Sequence, residues 1–376
     1  MTKTIFDSIK QKQLDAVLDE LSTHAIDVHS VNEEGQTPLH LAVATNQVAI
    51  AAVLLNKGFS PNTKDHTMLS PFIAAAANGF SEMFQLLLCY SPDLTQVNRF
   101  GGSALLPSSE KGFIRVVQQA LDAGVPVNHV NRLGWTALLE AVVLGDDGFL
   151  YRDIVEELVT SQADISIKDF DQKDACEYAT EFKKETIECL LNAAYPTSPF
   201  TEIKTLIRAN NCYQSIQKLL KMDESLEQLY YLGLSYECLN QLDAARYYYA
   251  KGFQQDTQFA YYLANLYKKI GDQKQVIAFF DKGAQKGNRS FFIYHKSNYL
   301  REIGRHQEAI LMMDELLKQA PNRVDYLFHK ANSLRSLGKH HAAYEIMIEA
   351  DKLQPANSLF SEHAAQSQKL IEKNGG

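Results

Sequence analysis

A period of 33 residues runs through the first half of this chain and constrains its fold more than any figure of composition. Gly35, Met68, Gly101 and Gly134 stand 33 apart. Two residues after each come Thr37-Pro38, Ser70-Pro71, Ser103-Ala104 and Thr136-Ala137, and just before each unit stand Val31-Asn32, Lys64-Asp65, Val97-Asn98 and Val130-Asn131. Gly79, Gly112 and Gly145 keep the same beat, with Asn46 at the matching place. Self-similarity at this period means one small supersecondary unit copied several times. Such a unit cannot bury its apolar face alone, so copies must stack in a row.

The residues of the unit have physical roles. The Gly, or its Asn/Asp neighbour, suits a tight turn with positive φ. Thr or Ser suits a helix N-cap, and Pro is tolerated at the first helical position because its missing N–H would be orphaned anyway. A short helix from Leu39 to Thr45 is expected, then a second from Val48 to Asn56 with paired apolar residues such as Leu54-Leu55, ended by Gly58. Thr37-Pro38-Leu39-His40-Leu41-Ala42 resembles the signature of the ankyrin repeat, and the resemblance covers about residues 1–194. Residues 1–31 resemble an N-terminal cap. Residues 170–194 resemble the last unit, with Asp174-Ala175 in place of Thr-Pro and a start displaced by five residues near 145–152. Gly-Trp-Thr-Ala-Leu-Leu-Glu-Ala at 134–141 and Gly-Gly-Ser-Ala-Leu-Leu at 101–106 resemble bacterial ankyrin proteins.

Beyond the boundary segment Ala194-Tyr195-Pro196-Thr197-Ser198-Pro199 the period changes. Asn240, Gly271, Gly304 and Gly338 mark turns at spacings of 31, 33 and 34. The helix after each carries a small or branched residue and a bulky one four later: Ala245/Tyr249, Val276/Phe280, Ala309/Met313 and Ala343/Met347. Such pairs share one helix face. Leu229, Leu232-Gly233 and Tyr236 meet the pattern of the tetratricopeptide repeat, and Ala264, Ser297 and Ala331 keep the small residue in later units. Lys296 and Lys330 stand where that pattern has Leu. The expectation is an all-α chain of two helical-repeat solenoids: an ankyrin-repeat domain at 1–195, a linker at 196–200, and a tetratricopeptide-repeat domain at 201–376 with a truncated hairpin at 201–223 and a C-terminal capping helix.

Charge divides the chain at the same place. Residues 1–195 hold 14 Lys and Arg against 26 Asp and Glu, a balance of −12, whereas the remainder holds 23 against 19. An acidic half repels nucleic-acid phosphates, so no nucleic-acid partner is expected. No apolar run is long enough to span a membrane, and the first residues lack a signal-peptide pattern. The five cysteines form no CxxC pair, and an odd count reads as reduced thiols of a cytoplasmic protein. No phosphate loop, HExxH, spaced Cys/His zinc ligands or Gly-x-Ser-x-Gly occurs, so no catalytic residue, metal, cofactor or small-molecule substrate is expected.

Binding chemistry is expected on two surfaces. In the second half Tyr230, Tyr261, Tyr294 and Phe328 form one column, with Asn265, Asn298 and Asn332 four residues later and Lys268, Arg301 and Arg335 three later again. Offsets of 0, 4 and 7 share one helix face. The tetratricopeptide resemblance implies that this face lines a concave groove. Asn amides can grip peptide backbone, basic residues can bind carboxylates, and aromatic rings can stack on side chains. Asn can equally serve a neighbouring helix. In the first half, Glu34, His66, Arg99, Phe100, Arg132 and Trp135 at the turn tips are candidate contacts, with Trp135 either an exposed anchor or a packing residue. Together these features describe a non-enzymatic scaffold for other proteins or peptides. The alternatives are a chaperone or immunity-type protein, and a switch in which the acidic half covers the basic groove.

Overall fold

The structure is a computed structural model describing residues 5–23, 27–192 and 198–374. Among the described residues all regular structure is helical, and these residues divide into two compact units. The first runs to Gly145 and includes Leu150–Asn192; the second holds Asp146–Phe149 and the chain from residue 198 onward. The expected linker lies partly outside the described residues, at 196–197, as do residues 1–4 and 24–26 of the expected N-terminal cap.

The first unit is a row of helix pairs: α1 (Ile5–Lys10) with α2 (Leu14–Thr23), α3 (Pro38–Ala44) with α4 (Val48–Asn56), α5 (Pro71–Ala77) with α6 (Ser81–Leu88), α7 (Leu105–Glu110) with α8 (Ile114–Ala123), α9 (Ala137–Leu144) with α10 (Phe149–Thr160), and α11 (Ala175–Glu181) with α12 (Glu185–Leu191). First helices pack on first helices along the row, α3 on α5, α5 on α7, α7 on α9 and α9 on α11. The small residues make this close approach possible: Ala42, Ala75, Ala76, Ala141 and Ala179 are fully covered.

One side chain organises each turn between pairs. The Oδ1 of Asn32 accepts from the Glu34 and Gln36 N–H groups (3.1 and 2.8 Å), and that of Asp65 from Thr67 and Leu69 (2.8 and 3.0 Å). Asn98, Asn131 and Asp169 repeat the arrangement, so the displaced last unit keeps the same turn. The turn needs positive φ three residues on. Gly101 supplies it at +75°, and Met68 and Gln172 adopt +63° and +59° with side chains, a conformation L-residues rarely enter. Ser70 and Thr136 cap α5 and α9 by accepting from Ile73 and Leu139 N–H (3.4 and 3.2 Å). In the third unit α7 starts after Ala104, and the buried Ser103 hydroxyl has no hydrogen-bond partner.

The second unit continues with α13 (Thr201–Arg208), α14 (Cys212–Leu219), α15 (Leu226–Cys238), α16 (Leu242–Phe253), α17 (Phe259–Ile270), α18 (Gln273–Lys286), α19 (Arg289–Glu302), α20 (His306–Gln319), α21 (Val324–Ser336), α22 (His340–Leu353) and α23 (Ser358–Asn374). Each helix packs on the next in sequence. Gly233 on α15 leaves room for the bulky residue of the next helix: a Cβ there would lie 2.1 Å from the Tyr249 ring of α16. Lys296 and Lys330, the departures from the apolar pattern, do not enter the core. Their amines meet Asp281 on α18 (2.6 Å) and Asp314 on α20 (2.7 Å). The expectation of five reduced thiols is corrected: Cys212 at the start of α14 is disulfide-bonded to Cys238 at the end of α15. Cys89, Cys176 and Cys189 are free.

Two outcomes follow. Gly233→Ala is expected to cost about 1–3 kcal/mol by overpacking against Tyr249, measured by denaturant unfolding. The buried His40 accepts the Thr37 N–H at Nδ1 (3.0 Å) and meets the Leu69 carbonyl through Nε2 (3.1 Å), and burial holds its pKa below the ordinary value. The unfolded chain then binds a proton that the native state resists, so stability is lost as pH falls below about 6.5. Thermal melts between pH 7.5 and 5 should fall less steeply for His40→Gln.

Candidate functional site

In the second unit, the first helices α15, α17, α19, α21 and α23 recur with side chains in register, and the expected columns behave differently from one another. The aromatic column is corrected. Tyr230, Tyr261, Tyr294 and Phe328 are only 1, 2, 2 and 1% exposed, so they offer no face to a ligand. Their rings fill the seam to the next repeat. Tyr230 meets Tyr262 (5.1 Å between centroids), Tyr261 meets His295 (4.8 Å), Tyr294 meets His329 (5.7 Å) and Phe328 meets His363 (5.1 Å). These contacts are inter-repeat packing.

The Asn and basic columns come together as a linked set rather than as separate ladders. Arg301 Nη2 donates to the Asn298 Oδ1 three residues earlier (3.0 Å), and Arg335 Nη2 donates to Asn332 Oδ1. Each guanidinium then reaches the next first helix: Arg301 Nη1 contacts His329 Nδ1 and Arg335 Nη1 contacts His363 Nδ1, both at 2.5 Å. Lys268 takes a carboxylate, Glu302 Oε2 at 2.5 Å. Asn298 is buried, whereas Asn265, Asn332, Lys268, Arg301 and Arg335 are half-buried along the same face. The Asn298 and Asn332 carbonyls are therefore engaged in aiming arginines, which narrows their expected role of gripping peptide backbone.

Sequence reasoning missed the histidines. His295, His329 and His363 stand 34 apart, one position after the aromatic column, and that spacing was the available signal. The Tyr261 hydroxyl meets His295 Nδ1 and the Tyr294 hydroxyl meets His329 Nε2, each at 3.2 Å. The C-terminal helix α23 carries residues at the same register. Gln366 and Lys369 stand 34 beyond Asn332 and Arg335, and both are exposed.

On the turn tips of the first unit, Glu34 and His66 are exposed; the Glu34 carbonyl accepts the His66 N–H (3.1 Å), and the His66 ring lies over Gly35. Arg99 places its guanidinium 4.6 Å from the Phe100 ring centre, and the Phe100 carbonyl accepts the Arg132 N–H (3.0 Å). Of the two readings of Trp135, packing is the one its surroundings fit: it is 6% exposed, and its Nε1 donates to Asp169 Oδ2 (3.0 Å), which also accepts from the Tyr178 hydroxyl (2.6 Å). In the acidic insert, Asp146 Oδ1 accepts the Gly148 N–H (3.0 Å), a loop-closing contact. Among the described residues no cluster of three or more His, Cys, Asp or Glu is placed to hold a metal, and no helix is long and apolar enough to cross a membrane.

Comparison with known proteins places the first unit. The ankyrin repeat family model matches residues 34–66, and its three-copy form matches residues 72–171. The ankyrin repeat protein YahD of Escherichia coli (strain K12) is 36% identical over 170 residues, spanning 45% of this chain and 85% of YahD. The crystal structure of EF0377, an ankyrin repeat protein, superposes with a TM-score of 0.50 at 35% identity, covering 52% of this chain and 99% of that one. An ankyrin repeat domain from Acinetobacter baumannii AYE shares 34% identity at a TM-score of 0.49, covering 50% of this chain and 96% of its own. The repeated Asx-organised turns, the paired short helices, the family models and the likeness to YahD agree: the chain belongs to the ankyrin-repeat family, whose members typically mediate protein–protein interaction and are generally not enzymes.

Proposed function

We propose that this protein is a non-enzymatic interaction scaffold. Its second unit, read as a tetratricopeptide-repeat array, holds an extended acidic segment or a peptide C-terminus, and the turn tips of its ankyrin unit meet a second protein. The observation that carries the groove reading is recurrence: Asn298 with Arg301 and Asn332 with Arg335 form the same side-chain pair on successive first helices. A solvated face has no reason to repeat a hydrogen-bonded pair at fixed register. Lys268 and Lys369 extend the cationic line on α17 and α23. Guanidinium groups already oriented by a neighbour lose less freedom on meeting a carboxylate, and the bonds formed are charge-assisted. The tetratricopeptide reading is supported by the 33- to 34-residue spacing and by the Gly233–Tyr249 contact inside the first full hairpin.

The tips of the first unit suit a different partner. His66, Arg99 and Arg132 put basic groups beside Met68 and Phe100 on a half whose balance is otherwise acidic. Two modules on one chain raise the effective concentration of one partner near the other without new contacts. Asn298→Ala combined with Arg301→Ala is expected to weaken binding of an acidic peptide with a free C-terminus by roughly tenfold or more, measured by calorimetry on the full chain. Unchanged affinity would remove the groove from this reading.

A further inference from the structure

The arginines of the proposed groove are held by acceptors that a proton abolishes. Arginine only donates, so a guanidinium 2.5 Å from the Nδ1 of His329 or His363 requires that nitrogen to carry a lone pair. The neutral ring then bears its hydrogen on Nε2, and in His329 this N–H points to the Tyr294 hydroxyl at 3.2 Å. Protonation of the imidazole removes the lone pair and adds a positive charge beside the guanidinium. The proton and the Arg–His contact exclude each other. The device occurs twice at the same register, with Asn298 and Asn332 holding the other edge of each guanidinium.

We propose that His329 and His363 are positioning residues for Arg301 and Arg335, and that their protonation releases these arginines to the groove so that it binds acidic peptide more tightly as pH falls. This rests on the groove reading above and adds its regulation. The groups around the relay fit it. Arg301 and Tyr294 on α19 face His329, and Arg335 on α21 faces His363, with Glu362 adjacent on α23. His306, at the start of α20, also lies near Arg301 and is held below its ordinary pKa by burial and by that guanidinium. Histidine is the side chain whose charge responds to mild acidification, and the adjacent guanidinium makes protonation and loss of the contact a single linked event. Lys268, paired with Glu302 rather than with an imidazole, does not respond.

The test is calorimetry of the full chain with a hexa-aspartate peptide at pH 8 and pH 5.5, where the peptide carboxylates stay ionised. Wild type is expected to bind roughly fivefold more tightly at pH 5.5. His329→Asn with His363→Asn keeps an acceptor near the Nδ1 position but cannot titrate, so its affinity should stay at the pH 8 level in both conditions. His329→Phe with His363→Phe keeps a ring without an acceptor, and should show the tighter affinity in both. Equal pH dependence in wild type and the Asn variant would overturn the proposal. Nitrogen NMR of the imidazoles separates the relay from the groove. The Nε2–H tautomer at pH 8 supports it, and the Nδ1–H tautomer overturns it. Absence of peptide binding at both pH values would overturn the groove reading and the binding step together, and the tautomer would still decide the relay.

Discussion

No helix pair in this protein can cover its apolar side without the next pair, and everything else in the two units follows from that dependence. In the first unit the requirement is met by alanines that let first helices approach, and by one Asn or Asp side chain per turn that absorbs two backbone N–H groups. In the second it is met by ring-filled seams, where Tyr261, Tyr294 and Phe328 pack on the histidine of the following first helix. A stack built this way has its energy at the interfaces between neighbours, not in one enclosed centre.

The seam also accounts for the chemistry of the proposed groove. Side chains that stabilise neighbouring repeats and side chains that aim charge at the surface are the same ones. His329 packs against Tyr294 with its ring and receives Arg301 on its Nδ1, so packing and charge positioning are coupled through one imidazole. Ion pairs such as Lys296 with Asp281 are partly exposed and contribute little alone. Their effect is to let a cation stand where the repeat pattern has leucine without burying an unpaired charge.

The repeat architecture was legible because it depends on small residues and turn formers at fixed spacing, and those survive in the sequence: Gly101, Thr136-Ala137, and Gly233 against Tyr249. The displaced last unit was legible in position, and the Asp169 turn shows why five extra residues do no harm, since the turn reforms after them. The direction of the aromatic column was not legible. Offsets of 0, 4 and 7 place residues on one helix face, but they do not say how far the next repeat's helix overlaps it, and side chains lean toward the helix N-terminus. Trp135 was undecidable for a similar reason: its partner, Asp169, lies 34 residues on. The histidine relay went unread because its register is visible only once the aromatic rings are known to point into the seam. The Cys212–Cys238 bond joins positions that no spacing rule connects.

Hydrogen exchange followed by mass spectrometry on the full chain tests the nearest-neighbour account most directly. Exchange should enter from the outermost helix pairs, such as α1–α2, α11–α12 and α13–α14, with the interior pairs α5–α8 and α17–α20 opening last and at higher free energy. A single protection level shared by all helices, lost in one step, would show one cooperative core and contradict it.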